Sequence, residues 1–134
     1  RDACGELHQT WPGHLAFDIG LPQTAMDEYA RACKAELAVK VPGLESVFYG
    51  HIGDGNVHIV AYRAGDKVQP KDEVEEVVYS LVQQYGGTVS AEHGIGTIKR
   101  RWLGHARSPE QIALMRTLKQ AMDPKGILNP GKVL

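Results

Sequence analysis

The feature that most constrains the fold is a pair of β-forming runs separated by a short glycine-rich turn. Residues 45–51 and 56–63 are rich in Val, Ile, Tyr and Phe, and the turn Ile52-Gly53-Asp54-Gly55 lies between them. An Asp-Gly pair between two such runs is typical of a tight β-hairpin. The sequence therefore predicts two antiparallel strands in direct contact, around which the other elements must pack.

Further strands and helices alternate on both sides of this hairpin. Periodicity, capping residues and turn residues predict a strand over 14–20, a helix from 24 to about 40, an amphipathic helix with its apolar stripe over 74–85, a short strand over 88–92, and two helices beginning near 97 and at 109. We predict an α+β fold, a ferredoxin-like βαββαβ antiparallel sheet with additional C-terminal helices, in one domain over 1–134. A generic α+β sandwich with another strand order is the alternative.

Composition limits the classes of function. The 134 residues carry 15 Lys and Arg against 16 Asp and Glu, so the chain offers no basic surface for nucleic acid. No apolar run has the length of a transmembrane segment, and the two cysteines, Cys4 and Cys33, are too few for a disulfide scaffold. We expect a cytoplasmic protein, and a chain that begins with Arg1 is expected to be a piece of a longer one.

Two histidines flank the predicted turn. If Asp54 and Gly55 are the two turn residues, His51 pairs with His58, and directly opposed side chains on an antiparallel pair lie about 5 Å apart. Two imidazoles in this position can share a divalent metal such as zinc or manganese. The glycines of the turn do not form a nucleotide-binding loop, because the sixth position of a GxGxxG frame is His58.

A third ligand is expected at the end of the 88–92 strand, where Glu92 and His93 follow one another. We select Glu92, since a catalytic metal commonly has three protein ligands and one open position. Adjacent residues in a regular strand point to opposite faces. Glu92 and His93 therefore reach one site only if the strand ends there and Gly94 bends the chain.

Three segments together carry a resemblance to a known family. GHIGDGNVH at 50–58, SAEHGIG at 90–96 and ILNPGK at 127–132 occur in this order, and the similarity covers essentially the whole chain. The chain resembles the C-terminal domain of the FAD-linked oxidases, a group that includes D-lactate dehydrogenase, the glycolate oxidase flavoprotein subunit and D-2-hydroxyglutarate dehydrogenase. This implies a cap domain that completes a substrate site over a flavin, with FAD held mainly by a preceding N-terminal FAD-binding domain.

The resemblance also implies roles for individual residues. His51, His58 and Glu92 match positions that hold a divalent metal, and His93 matches a catalytic base. Asn129 would lie near the flavin, and Arg1 matches a substrate-contacting arginine. Relatives that use 2-hydroxyglutarate carry Lys and Asn at two positions where this chain has Ala16 and Val60. We therefore expect a 2-hydroxy acid without a second carboxylate.

The resemblance implies an FAD-dependent oxidoreductase, which we expect to oxidise an (R)-2-hydroxy acid to the 2-oxo acid. The 134 residues alone are expected to be inactive, and a homodimer is left open. The alternative is a stand-alone ferredoxin-like metal- or ligand-binding module without catalysis. A metal-dependent hydrolase is disfavoured, because no second carboxylate is suitably placed.

Overall fold

The computed structural model describes residues 10–134 and has a mixed architecture of helices and strands. Its regular elements, with the 3-10 helices unnumbered, are β1 (Leu15–Gly20), a 3-10 helix (Gln23–Ala25), α1 (Met26–Lys40), β2 (Leu44–His51), a 3-10 helix (Ile52–Asp54), β3 (Asn56–Arg63), α2 (Lys71–Gln84), a 3-10 helix (Arg100–His105) and α3 (Pro109–Met122). The predicted α+β class is confirmed in this coarse form.

The three strands form one antiparallel sheet in the order β1-β3-β2, so β3 lies in the centre. Because side chains alternate along each strand, the sheet has two distinct faces. One face is apolar: Phe17 and Ile59 are paired across β1 and β3, and both are buried. The other face carries Asp18 and His58, which form the next pair.

Helices α1 and α2 cover the apolar face. In α1 the buried residues Tyr29, Cys33 and Leu37 recur every four positions, which places them on one side of the helix. In α2 the buried stripe includes Val74, Val77, Val78, Leu81 and Val82. The Tyr29 hydroxyl donates to the carbonyl of Val78 at 3.0 Å, so the two helices are joined by a buried hydrogen bond as well as by packing.

The predicted strand over 88–92 does not form. Within the described residues this segment makes a single antiparallel bridge, in which Gly20 and Thr88 exchange two backbone hydrogen bonds of 3.0 and 2.8 Å. Beyond this bridge no ladder continues in the described residues, and the backbone N–H groups of Ala91 and Glu92 donate to the carboxylate of Asp18 instead. The helix predicted from 97 is also shorter, a 3-10 helix over Arg100–His105.

Helix α3 forms as its sequence predicts, since Ser108 and Gln111 make a capping box and Pro109 occupies the first turn. It contributes no buried side chain to the part of the chain that the structure describes, and Leu118 and Met122 are exposed. None of the helices over residues 10–134 combines the length and the apolar character that crossing a bilayer requires.

Candidate metal and substrate site

The site lies on the sheet face opposite the two helices. His58, in the central strand, is paired with Asp18 on one side and with Tyr49 on the other. His51, the last residue of β2, is paired with Asn56. Since these paired residues share one face, strand alternation alone brings two histidines, a carboxylate and a tyrosine to the same surface.

The hairpin turn differs from the prediction. Four residues, 52–55, connect the strands, with a 3-10 turn over Ile52–Asp54 and Gly55 in the left-handed conformation. His51 therefore pairs with Asn56, and the predicted pairing of His51 with His58 is wrong. The two histidines are diagonal neighbours instead, a relation that long side chains can still bridge. Their ring centroids lie 5.7 Å apart, with the ring planes nearly perpendicular.

Glu92 approaches both histidines. Its two carboxylate oxygens lie 3.8 Å from His51 Nε2 and 4.0 Å from His58 Nε2. One ligand atom from each of the three residues falls within 4.8 Å of the others. Ligand atoms around tetrahedral zinc are about 3.3–3.6 Å apart, given metal–ligand bonds of about 2.0–2.2 Å. Two imidazole nitrogens and a carboxylate oxygen thus fit a divalent cation after a small inward movement.

His93 lies on the other side of His58, and their ring centroids are 6.0 Å apart. His93 Nδ1 is 3.9 Å from Asp18 Oδ2, and about two thirds of the His93 side chain is exposed. An exposed imidazole beside this candidate metal-ligand cluster is accessible to a small molecule bound there. The structure thus brings His51, His58, Glu92 and His93 together.

Asp18 is a functional candidate that the sequence analysis missed. Its side chain has no exposure, and its Oδ2 accepts hydrogen bonds from the Ser90 hydroxyl and from the backbone N–H groups of residues 91, 92 and 93. Burial opposes ionisation most strongly, but the donors of His93, Glu92 and Ser90, together with the charge of Lys99, outweigh it and lower the pKa of Asp18. An aspartate in the middle of the apolar run LAFDIG was the signal that could have revealed it.

A cavity of about 620 Å³ opens beside His93. Its lining includes Ala16, the loop over 94–98 and Lys99, and it extends to Lys71, Glu75 and Tyr79 of α2 and to Lys132 of the tail. Lys99 is largely buried, with Nζ donating to the Asp18 carbonyl at 3.1 Å and lying 3.7 Å from Asp18 Oδ2. Burial lowers the pKa of Lys99, against the opposing effect of Asp18. Ala16 is paired with Val60, so the two positions noted in the sequence are direct neighbours on the site face.

The remaining predicted residues lie further along the chain. Arg1 lies outside the described residues. Asn129 belongs to the C-terminal tail, where it has a positive φ and its carbonyl accepts from the N–H of Lys132. The tail returns to the loop that follows His93, because the N–H of Val133 donates to the carbonyl of Gly96 at 2.8 Å.

Comparison with known proteins gives the family. A family model described as FAD linked oxidases, C-terminal domain, matches residues 5–133. The chain belongs to this family. A mitochondrial D-2-hydroxyglutarate dehydrogenase of Arabidopsis thaliana is 44% identical over 135 residues, which cover 100% of this chain and 23% of that protein.

Two further relatives have similar coverage. A D-lactate dehydrogenase of Archaeoglobus fulgidus is 43% identical over 120 residues, covering 88% of this chain and 26% of the relative. A D-2-hydroxyglutarate dehydrogenase of Xanthomonas citri pv. viticola is 39% identical over 121 residues, covering 87% and 26%. The chain of this FAD-linked oxidase domain thus spans about a quarter of the curated relatives that it matches.

Proposed function

We propose that this domain binds the substrate and a divalent metal in an FAD-dependent oxidoreductase that oxidises an (R)-2-hydroxy acid to the 2-oxo acid. The convergence of His51, His58 and Glu92 beside His93 and an open cavity carries the proposal. Relatives named as D-2-hydroxyglutarate and D-lactate dehydrogenases support the reaction class. The single bridge between Thr88 and Gly20, at the outer edge of β1, supports a ferredoxin-like order with a vestigial fourth strand.

In this proposal His51, His58 and Glu92 hold the metal, zinc or manganese. When bound, a divalent cation supplies Lewis-acid polarisation of the substrate hydroxyl, which lowers its pKa. Neutral His93 accepts the hydroxyl proton at Nε2, because its Nδ1 faces the Asp18 carboxylate. The flavin of the complete protein supplies the redox chemistry, and the domain contributes orientation and electrostatics.

The cavity beside His93 is proposed to take the substrate side chain. Ala16 lines it, and the neighbouring position on the same face is Val60, so neither residue offers charge or a hydrogen bond. Three lysines also line the cavity: Lys99 is paired with Asp18, Lys71 with Glu75, and Lys132 contacts Asn129. Because positions 16 and 60 offer a second substrate carboxylate neither a charge nor a hydrogen bond, we propose that the site favours a 2-hydroxy acid with a neutral tail.

We further propose that an N-terminal FAD-binding domain of the same protein covers this domain. The exposed apolar residues of α3 and the tail, among them Leu118, Met122 and Ile127, support such a contact. Asn129 would then approach the flavin from the tail, and Arg1 would contact the substrate. A cytoplasmic location and a homodimer stay predictions, and the Arabidopsis relative is named as mitochondrial.

Metal analysis of the 134-residue chain tests the site. We expect one equivalent of zinc or manganese after dialysis in the wild type, and a loss of that metal in His58→Ala. His105→Ala is the matched control, since His105 packs on Trp102 away from the cluster. Retention of stoichiometric metal by His58→Ala, or no metal in the wild type, would overturn the assignment.

A further inference from the structure

We infer that Asp18 is a positioning residue, whose carboxylate folds residues 90–93 so that Glu92 and His93 face the same site as His58. The functional meaning of the inference rests on the proposed function, in which Glu92 is a metal ligand and His93 is the base. Its structural content concerns only the hydrogen bonds between Asp18 and this segment, and it can be tested separately.

The hydrogen bonds converge on a single oxygen. Asp18 Oδ2 accepts from the Ser90 hydroxyl at 3.0 Å and from the N–H groups of Ala91, Glu92 and His93 at 3.2, 2.9 and 2.8 Å. Successive backbone N–H groups that point to one place form an anion-binding concavity. In this protein the anion is the protein's own carboxylate, contributed from more than 70 residues earlier in the chain.

This arrangement explains how two adjacent residues reach one site. In an extended strand, consecutive N–H groups point to opposite edges and consecutive side chains to opposite faces. Convergence of three consecutive N–H groups on Asp18 is incompatible with that geometry, so the segment curls. Gly94 permits a bend with its φ of 76°, and the space beside its Cα is open, since a Cβ there would meet nothing within 4 Å. Asp18 provides the fixed point.

Asp18 belongs to the same sheet as the two histidines. Asp18 is the direct partner of His58 in the pairing of β1 with β3. A segment tied to Asp18 is therefore held at a set position relative to His58, and Glu92 Oε2 lies 4.0 Å from His58 Nε2. Lys99 adds a positive charge to the arrangement, with Nζ 3.7 Å from Asp18 Oδ2. Burial of the carboxylate without these donors would be strongly unfavourable.

Two measurements on the 134-residue chain test the inference. The first is amide hydrogen exchange by NMR, without metal, at Ala91, Glu92 and His93. We expect these amides to be protected in the wild type, and their protection to fall by about tenfold or more in Asp18→Asn, which removes the charge but keeps the shape. Unprotected amides in the wild type would overturn the inference without reference to any variant.

The second measurement is titration with Co²⁺, followed by its visible absorption. Replacing a residue that orients a metal ligand typically lowers metal affinity by about 10–100-fold, and we expect this loss for Asp18→Asn together with a changed absorption band. Asp72→Asn is the control, because it removes the same charge from an exposed position on α2. Ser90→Ala, which deletes one of the four donors, should weaken binding by only a few-fold.

The outcomes separate the inference from the proposed function. If Asp18→Asn keeps wild-type amide protection and wild-type Co²⁺ affinity while His58→Ala loses the metal, Asp18 has no positioning role and the metal site stands. If the amides lose protection in Asp18→Asn but the wild type binds no Co²⁺, Asp18 orders the segment and the metal site is refuted.

Discussion

The loop between the two histidines gives a sharp prediction about stability. Gly55 has a φ of 67°, and a Cβ at this position would lie 2.3 Å from the carbonyl oxygen of Leu21. The Gly55 carbonyl accepts a hydrogen bond from the Leu21 N–H at 2.8 Å, so the hairpin loop is attached to the end of β1. At Gly53, two residues earlier, an added Cβ would meet nothing within 4 Å. Gly55→Ala and Gly53→Ala therefore form a matched pair.

The two substitutions should differ by several kcal/mol. Holding alanine in the left-handed conformation costs about 1–2 kcal/mol. Relieving a contact with a backbone oxygen requires a shift of the main chain, and such overpacking costs about 1–3 kcal/mol. We expect Gly55→Ala to lower the free energy of unfolding by about 2–5 kcal/mol, and Gly53→Ala to change it by less than about 0.5 kcal/mol. For a chain of this size, 1 kcal/mol corresponds to about 3–5 °C in Tm.

Urea and thermal unfolding followed by circular dichroism measure the difference directly. Because the loop joins His51 to the strand that carries His58, Gly55→Ala should also weaken metal binding, whereas Gly53→Ala should not. Equal stabilities of the two variants would refute the argument, since they would show that the contact between Gly55 and Leu21 does not restrain the loop.

Three further predictions concern reactivity, cofactor and substrate. In a Cys4→Ser background, Cys33 should not react with a thiol reagent at mildly alkaline pH until urea is added, because burial raises its pKa to about 12; reaction in the native state would contradict this. The purified 134-residue chain should show no visible flavin absorption. A chain that carries one equivalent of flavin would refute the proposal that a separate N-terminal domain holds the FAD. In the complete protein, kcat/KM for (R)-lactate should exceed that for (R)-2-hydroxyglutarate by more than about tenfold, because Ala16 and Val60 offer a second carboxylate neither a charge nor a hydrogen bond. The opposite preference in steady-state kinetics would refute this prediction.

The meeting of His51 and His58 could be predicted although the register could not. The two-residue turn expected from Asp54 and Gly55 pairs His51 with His58, whereas the four-residue loop pairs it with Asn56. The two registers differ by two residues. A shift of two keeps every side chain on its face, whereas a shift of one moves it to the other. Because both registers place His51 and His58 on the same face, the error in the turn only changed a directly opposed pair into a diagonal one.

The prediction of a strand over 88–92 was wrong for a different reason. The acceptor of several backbone N–H groups in this segment is the carboxylate of Asp18, which lies far away in sequence. Alternation of Val89 and Ala91 with polar residues favours a strand, and local patterns contain no information about Asp18. Only the tertiary fold brings that carboxylate to the end of the ladder.

A second buried aspartate also holds a turn of the backbone, near the C-terminus, although its two backbone donors bond to different oxygens. Asp123 accepts from the N–H groups of Ile127 and Leu128 at 3.0 and 2.9 Å and from Lys119 Nζ, and so turns the tail after α3. Its donors lie within five residues, so proximity in sequence could have suggested this turn. For Asp18 the sequence predicts that hydrogen-bond donors are needed, but not which segment provides them. A carboxylate within an apolar strand requires several donors, but which segment supplies them depends on the packing of the folded sheet. The residues that the candidate site most needs in place, Glu92 and His93, are therefore those whose positions local sequence could least determine.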